Sequence, residues 1–242
     1  MKENKLLIWD LDDTLIITNP EYEKTNQDCA EIIADELFAD FKQIIEISNK
    51  QRKIDLELIS QYGFVRPRYL QSWIQTYIQL CNENGKNINH LIERKLTDAI
   101  ENLYVRKCRN MPNSIDVLQQ LKNEGYEMVV LTAGEDDVQR KRVDDAGMSK
   151  YMDAIYVYNY KTPCTLKEVL GKYPGKSHYM IGNSLRSDIY PALSNGIHGI
   201  HVIRDTWEAD HYEIDSNHRL YHSVHSLREI PSLLRNIQSI AA

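Results

Sequence analysis

Apolar and polar positions follow two different patterns along the chain. At the start, "KLLIWDLD" is a short apolar run that ends in polar residues, which predicts a buried strand with a functional C-terminal end. From about residue 20 to 107, glycine and proline are scarce and apolar residues recur every three or four positions, as in amphipathic helices. This rhythm predicts one long helix over "CAEIIADELFADFKQIIEI" and further helices over "YLQSWIQTYIQLC" and "INHLIERKLTDAIENLYV".

The second half of the chain alternates between apolar runs and helical segments. After "NMPNS", the runs "YEMVVLTAG", "AIYVYNY", "SHYMIGNS" and "HGIHVI" are separated by stretches with helical character. Strands that alternate with helices of about 10–15 residues predict crossover units and a parallel sheet. The predicted fold is therefore α/β: a Rossmann-like parallel sheet core of residues 1–17 and 108–242, with a helical domain of residues 18–107 inserted after the first strand.

Composition argues against several classes of protein. The 242 residues carry a net charge of −6, which favours neither nucleic acid nor an anionic membrane as a partner. No apolar run approaches the ~18 residues that a membrane helix needs, and "MKENK" lacks the pattern of a signal peptide. The four cysteines form no C-x-x-C pair, which indicates free thiols in a reducing compartment. We expect a cytoplasmic protein, either a monomer or a homodimer.

Polar side chains follow four of the predicted strands, in "WDLDDT", "LTAG", "YKTP" and "IGNSLRSD". Ligands of open parallel sheets bind beyond the carboxyl ends of the strands, so these segments are expected at one site. The first segment is the most informative, because Asp10, Asp12 and Asp13 crowd three carboxylates into four positions. Their mutual repulsion is unfavourable unless a cation, a helix N-terminus or a raised pKa relieves it.

Together these segments resemble the signature of the haloacid dehalogenase superfamily of aspartyl-phosphate hydrolases. That signature is D-x-D-x-[TV] after the first strand, then a Thr or Ser, a Lys and an acidic G-D-x-x-x-[x]-D segment. The chain matches it with Asp10–Thr14, Thr132, Lys161 and Gly182–Asp188. The helical domain falls where the C1-cap, phosphatase-like subgroup inserts its cap. One position departs from the pattern, because Asn183 stands where the family usually has Asp.

The resemblance implies a role for each matching residue. Asp10 would be the nucleophile that forms an aspartyl-phosphate, and Asp12 would be the general acid and base. Lys161 would offset the charge on Asp10 and on the phosphate. The other assignments are the phosphate-binding residues Thr132 and Ala133, and the ligands of a Mg²⁺ cofactor, namely Asp10, Asp12 through its carbonyl, Asp188 and, as a further candidate, Asn183. Asp13 receives no role.

The predicted function is a Mg²⁺-dependent phosphatase that hydrolyses a phosphate monoester of a small soluble metabolite. An acid at Asp12 argues against dehalogenation, since a departing halide needs no proton. Two alternatives stay open. One is a phosphosugar mutase of the same fold, which would return the phosphoryl group to its substrate. The other is a catalytically weak binding protein, which Asn183 favours and which the intact Asp10, Asp12, Thr132 and Lys161 oppose.

Other clusters of polar residues carry weaker signals. His218, His222 and His225 have the spacing i, i+4 and i+7, which on a helix could face one zinc ion, but the segment is strand-like in places and lacks a matching carboxylate. His198 and His201 would point to opposite faces of a predicted strand. In the helical domain, the aromatic and basic side chains of "GFVRPRYLQSW" could contact a substrate, although helix packing is the more common role.

Overall fold

The computed structural model describes residues 4–38 and 41–241. The chain divides into two compact units, a core unit of Met1–Ile17 with Cys108–Ala242 and a helical unit of Thr18–Lys107. The strands are β1 (Lys5–Trp9), β2 (Ile16–Ile17), β3 (Arg109–Asn110), β4 (Glu127–Ala133), β5 (Ala154–Tyr158), β6 (Ser177–Gly182), β7 (His198–Val202) and β8 (Tyr221–Val224). The α-helices are α1 (Asn19–Leu37), α2 (Ile44–Tyr62), α3 (Arg66–Glu83), α4 (His90–Val105), α5 (Ser114–Asn123), α6 (Asp136–Asp145), α7 (Pro163–Leu170), α8 (Tyr190–Ser194) and α9 (Ile230–Ala241).

A six-stranded sheet forms the centre of the core unit in the described part of the chain. Its strand order is β5-β4-β1-β6-β7-β8, and every neighbouring pair is parallel. Because successive side chains of a strand point to opposite faces, β1 contributes to two apolar layers. Leu7 and Trp9 pack with α5 and α9, whereas Leu6 and Ile8 pack with α7 and α8. The predicted α/β fold with a Rossmann-like parallel sheet is confirmed.

The sheet extends one strand beyond the predicted set. β8 pairs with β7 at the edge, and of its four residues only Val224 is buried. An edge strand with one buried side chain leaves little apolar signal in the sequence. The segment that holds His218, His222 and His225 therefore contains a strand, so the spacing of these residues does not place them on one face of a helix.

The prediction of a single helix over "CAEIIADELFADFKQIIEI" is wrong. α1 ends at Leu37, and α2 begins at Ile44 and packs against α1. The apolar rhythm runs through the break because both helices bury side chains, such as Ile33 and Ile47, in the same core. Periodicity reports which residues are buried, but it does not report where the chain changes direction.

The helical unit has an apolar core of its own. α1, α3 and α4 contribute most of it, and the fully buried Trp73 and Tyr77 are its largest side chains. Residues 63–65 connect the end of α2 to the start of α3. Among the helices that the structure describes, none is both long and apolar enough to cross a membrane.

The chain leaves the core unit after β2 and returns to it at β3. These two short strands pair with each other in the antiparallel sense, with Ile16 opposite Asn110 and Ile17 opposite Arg109. Both ends of the inserted segment are therefore anchored by one pair of strands in the core unit.

Candidate active site

The predicted site residues lie at the carboxyl ends of neighbouring strands. Asp10 directly follows β1, Thr132 and Ala133 end β4, and Asn183 directly follows β6. Lys161 lies in the connection from β5 to α7. Because β5, β4, β1 and β6 are adjacent in the sheet, the topology brings these four segments to one edge.

Lys161 joins two carboxylates that are far apart in the sequence. Its Nζ lies 2.5 Å from Asp10 Oδ1 and 2.5 Å from Asp188 Oδ1. The three side chains are almost completely buried, with exposed fractions of 6% for Lys161, 6% for Asp10 and 0% for Asp188. Burying an ion is costly unless an opposite charge matches it. Because two buried carboxylates share one ammonium, this group has more negative than positive charge.

The burial of these groups and the excess of negative charge shift the pKa of all three. Burial raises the pKa of Asp10; the Lys161 ammonium opposes the rise, and the charges of Asp188 and Asp12 add to it. Burial likewise raises the pKa of Asp188, again against the pull of Lys161. Although burial alone lowers the pKa of Lys161, the two carboxylates raise it above the ordinary value of a lysine. Lys161 therefore remains charged. A further cation beside Asp10 would favour the ionised form of the Asp10 carboxylate.

Gly182 and Ser184 hold the Asp188 carboxylate in place. A Cβ added at Gly182 would clash with Asp188 Oδ2, so the carboxylate packs directly against the glycine backbone. The same oxygen accepts a hydrogen bond of 3.0 Å from the Ser184 amide. A side chain at position 182 would displace Asp188 and with it one of the two partners of Lys161.

Thr14 links Asp10 to Asn183. Its hydroxyl lies 2.8 Å from Asp10 Oδ2 and 2.9 Å from the terminal amide oxygen of Asn183, and it accepts a hydrogen bond of 3.1 Å from the Asn183 backbone N–H. A hydroxyl has only one proton to donate. It can therefore donate to one of these two oxygens at a time.

The two orientations of the Asn183 amide have different chemical consequences. Rotated so that nitrogen faces the site, the amide lies 2.9 Å from Thr14 Oγ1, 3.2 Å from Asp10 Oδ2 and 3.3 Å from the Asp12 carbonyl oxygen, and can donate to them. With Oδ1 in that position, the Asn183 oxygen lies 3.2 Å from Asp10 Oδ2 and 3.3 Å from the Asp12 carbonyl oxygen, with no proton between it and either of them. Such a set is stable only around a cation. Neighbouring ligands of an octahedral Mg²⁺ with bonds of about 2.1 Å lie about 3 Å apart, so this donor set fits the ion.

The fit does not depend on a cluster of acidic residues. Within residues 4–38 and 41–241, no three His, Cys, Asp or Glu side chains are grouped so that they could hold a metal ion. The set above instead combines one carboxylate, one backbone carbonyl and one amide. The Asp188 carboxylate contacts Lys161 and the Ser184 amide, and its role as a metal ligand stays a prediction.

Asp12 is held by two residues of α6. Gln139 Nε2 donates to Asp12 Oδ2 over 2.8 Å, and Arg142 Nη1 lies 3.0 Å from both carboxylate oxygens. The Asp12 side chain is 28% exposed, whereas that of Arg142 is only 6% exposed. Gln139 Nε2 also lies 3.1 Å from Thr132 Oγ1 and 2.6 Å from the carbonyl oxygen of Ala133. Gln139 therefore links Asp12 to Thr132 and Ala133 at the end of β4.

The sequence prediction missed Gln139, Arg142 and Asp210. Gln139 and Arg142 stand three positions apart on α6, the spacing of one helix face, but a polar helix gave no reason to place that face in the interior. Asp210 lies in the connection between β7 and β8. Burial raises the pKa of Asp210; the neighbouring Ser184 side chain and Lys161 oppose this rise, and Asp10 adds to it. That connection carries no recognisable motif.

The weaker signals of the sequence have structural explanations. Arg68 forms a buried ion pair with Asp55, and the Tyr69 hydroxyl donates to Asn26 over 2.5 Å, so these residues join helices of the helical unit. His198 contacts His222 at 3.0 Å, with Nδ1 of one facing Nε2 of the other. His201 Nε2 instead lies 3.1 Å from the backbone oxygen of Asn183. The two histidines of β7 thus have separate partners.

Comparison with protein families gives one match to the chain. A family model described as a haloacid dehalogenase-like hydrolase matches residues 4–176. Comparison with curated proteins gives no match.

Several solved structures share the fold over nearly their whole length. A haloacid dehalogenase-like hydrolase from Xanthomonas campestris has 22% identity and a TM-score of 0.80, over 100% of this chain and 99% of that one. The hydrolase YfnB from Bacillus subtilis, bound to magnesium, has 17% identity and a TM-score of 0.64, over 97% of this chain and 100% of that one. A predicted phosphoglycolate phosphatase from Haemophilus somnus has 16% identity and a TM-score of 0.64, over 95% of this chain and 97% of that one.

At these identities the similar structures show the fold alone, and dehalogenases occur among them as well as phosphatases. The family model is more decisive, because it matches more than half of the chain and includes the ends of β1, β4 and β5. The chain belongs to the haloacid dehalogenase-like hydrolase family.

Proposed function

We propose that the protein is a Mg²⁺-dependent phosphatase that hydrolyses a phosphate monoester of a small soluble metabolite through an aspartyl-phosphate on Asp10. The observation that carries the proposal is the Asp12 carboxylate, which is partly exposed two residues after the buried Asp10. An alcohol leaving group requires a proton and a halide does not. A second carboxylate at this position is therefore useful to a phosphatase and has no task in dehalogenation.

The reaction would proceed in two displacements. A carboxylate oxygen of Asp10 attacks phosphorus, and the departing alcohol oxygen takes a proton from Asp12. Asp12, now ionised, accepts a proton from the water that attacks the aspartyl-phosphate, which releases inorganic phosphate and restores Asp10. Each step returns Asp12 to the state that the other step requires, so a single carboxyl group can serve both.

The other residues would bind and neutralise the transferred group. Lys161 is charged and contacts Asp10, which suits it to offset the negative charge that builds up when phosphate approaches a carboxylate. Thr132 and Ala133 end β4 at the same edge of the sheet, where a hydroxyl and a backbone amide could hold phosphoryl oxygens. In this proposal Asp188 orients Lys161 and remains a candidate ligand of Mg²⁺.

We assign the Mg²⁺ ligands to Asp10 Oδ2, the Asp12 carbonyl and Asn183 Oδ1. The first two oxygens lie 3.2 Å and 3.3 Å from the Asn183 amide atom that faces the site. Bound Mg²⁺ would supply charge neutralisation to the phosphate and to Asp10. The magnesium bound to YfnB supports the choice of metal. The helical unit would be the cap domain that its place in the sequence implies, and the four free cysteines suit the cytoplasm.

Release of inorganic phosphate from an aryl phosphate tests the proposal. We expect turnover with Mg²⁺ and its loss when EDTA is present. Acid quenching during turnover should trap a phosphate adduct on the peptide that contains Asp10, detectable by mass spectrometry. Release of chloride from a 2-chloro acid without phosphate release would show a dehalogenase. Phosphate release without any adduct on that peptide would contradict the covalent mechanism.

A further inference from the structure

Two residues of α6 surround the carboxylate that the proposed reaction uses for proton transfer. Gln139 Nε2 contacts Asp12 Oδ2, and Arg142 Nη1 contacts both Asp12 oxygens. We infer that Arg142 and Gln139 are positioning residues, which fix the Asp12 carboxylate so that Oδ1 is the oxygen that exchanges the proton. This inference rests on the proposed function, because it assigns a task to Asp12 in phosphate ester hydrolysis.

The hydrogen bonds of the carboxylate distinguish its two oxygens. A carboxylate offers about four acceptor positions, two on each oxygen. Among the residues that the structure describes, Gln139 Nε2 at 2.8 Å and Arg142 Nη1 at 3.0 Å both contact Oδ2, whereas Oδ1 is contacted by Arg142 Nη1 alone, at 3.0 Å. The remaining acceptor position of Oδ1 is the one that faces no donor from α6. A leaving-group oxygen or an attacking water could exchange its proton there.

This network is part of the interior of the protein. Gln139 is 2% exposed and Arg142 is 6% exposed. Gly134 makes room for the amide of Gln139, since a Cβ at position 134 would lie 2.9 Å from Gln139 Nε2. Through the same nitrogen Gln139 contacts the end of β4. Asp12 is therefore coupled to the strand end that would bind phosphate, and buried groups of this kind hold a side chain more firmly than an exposed ion pair does.

The expected effect of losing this support depends on the leaving group. A misplaced carboxylate transfers a proton less efficiently, and a displacement of about 1 Å can reduce a rate by about 100-fold. Poor leaving groups, such as the alcohol of an alkyl phosphate, depend on that proton. Activated aryl leaving groups depend on it much less. A residue that merely stabilised the fold would lower both rates by the same factor.

The test compares Arg142→Gln with Arg140→Gln, Asp12→Asn and the double variant Asp12→Asn/Arg142→Gln. Arg140 is the matched control, because it lies on the same helix, is exposed and pairs with Asp136. We expect Arg142→Gln to lower kcat on an alkyl phosphate by about 10–100-fold, and to lower kcat on a strongly activated aryl phosphate by less than about 3-fold. In the Asp12→Asn background the same change should have little effect, because residues that act through one group are not additive. Arg140→Gln should match the wild type on both substrates.

Equal losses on both substrates, or full additivity with Asp12→Asn, would overturn the inference while leaving the proposed phosphatase intact. If Arg142→Gln fails to fold, as judged by circular dichroism and thermal unfolding, Gln139→Met and Arg142→Lys replace it under the same criteria. A wild-type chain that hydrolyses neither substrate would refute the proposed function, and the inference with it. The two failures are therefore distinguishable from wild-type activity alone.

Discussion

Each unit of the molecule buries acidic and basic side chains against each other, but in different proportions. In the helical unit one carboxylate, Asp55, meets one guanidinium, Arg68, and their side chains are 7% and 6% exposed. In the core unit two buried carboxylates, Asp10 and Asp188, share the single ammonium of Lys161. The first group is balanced in charge, and the second carries an excess of negative charge.

This difference separates a structural ion pair from a site built for chemistry. A balanced pair between packed helices neutralises its own charges and does not attract a further ion. The core group lies at the carboxyl ends of the strands, the edge at which open parallel sheets bind ligands. Its excess charge favours the binding of a cation. Burial raises the pKa of both Asp55 and Asp10, so a shifted pKa alone does not distinguish the two groups. The two groups are distinguished by the ratio of buried carboxylates to buried cations and by their position in the fold.

The largest effect is expected from Asp10→Asn. It removes the proposed nucleophile, so kcat on an aryl phosphate should fall by about 10⁴-fold or more. The free energy of unfolding should not decrease, because Lys161 keeps Asp188 as a partner and the charges become balanced. Steady-state kinetics and chemical denaturation measure the two quantities. Residual activity above about a tenth of the wild type would contradict the role of Asp10.

Asp55→Asn should show the opposite behaviour. It leaves the buried Arg68 guanidinium without its carboxylate, and breaking a buried pair costs about 3 kcal/mol of folding free energy. The kcat on an aryl phosphate should change by less than about 3-fold, since we give Asp55 no task in the chemistry. A large loss of activity at unchanged stability would mean that this pair has a functional role, and it would contradict the distinction drawn between the two groups.

Asn183→Asp tests whether a further negative charge beside Asp10 increases the affinity for Mg²⁺. A carboxylate at this position can bind Mg²⁺ but cannot donate to Asp10 and the Asp12 carbonyl as the rotated amide can. The half-saturating Mg²⁺ concentration should therefore fall a few-fold, and thermal stability in EDTA should decrease while the stabilisation by Mg²⁺ grows. The gain in affinity is limited, because the new charge also repels Asp10. An unchanged half-saturating concentration would remove Asn183 from the metal site.

The smallest effect concerns histidines that lie outside the site. Burial, together with the neighbouring His198, lowers the pKa of His222 from 6.5 to about 4. Between these two values the unfolded chain binds a proton that the folded chain does not, so stability is fully present above about pH 6.5 and is lost as the pH falls towards 4. His222→Gln should flatten this decline in denaturation experiments between pH 7 and 5. The difference in stability between the variant and the wild type should be constant from pH 7 to 8.

Much of the core could be predicted because its chemistry coincides with regular patterns. Apolar runs marked four of the strands that end at or near site residues, and the rule that ligands bind at the carboxyl ends of parallel strands placed Asp10, Thr132, Lys161 and Asn183 together. The structure shows them at one edge of the sheet. Their roles in catalysis and in metal binding stay predictions.

The other features of the fold and of the site could not be predicted, because they depend on tertiary contacts that produce no periodic pattern in the sequence. The break between α1 and α2 occurs inside a continuous apolar rhythm, so only the folded chain shows it. Gln139 and Arg142 stand in a helix whose composition is strongly polar, and both are buried where they contact residues distant in sequence, such as Asp12. Asp210 approaches the site from the connection between β7 and β8. The local sequence around these three residues is compatible with a solvent-exposed position.

The antiparallel pair of β2 and β3 bears on how such a protein folds and how its length can change. Because the two strands meet at the base of the insertion, the helical unit enters the folding of the core as a closed loop. The entropy of closing a flexible loop grows only with the logarithm of its length, by about 0.6 kcal/mol for each doubling. The core should therefore tolerate insertions of very different size at this point, and replacing residues 18–107 by a short turn would be expected to speed its folding by lowering the sequence separation of its contacts.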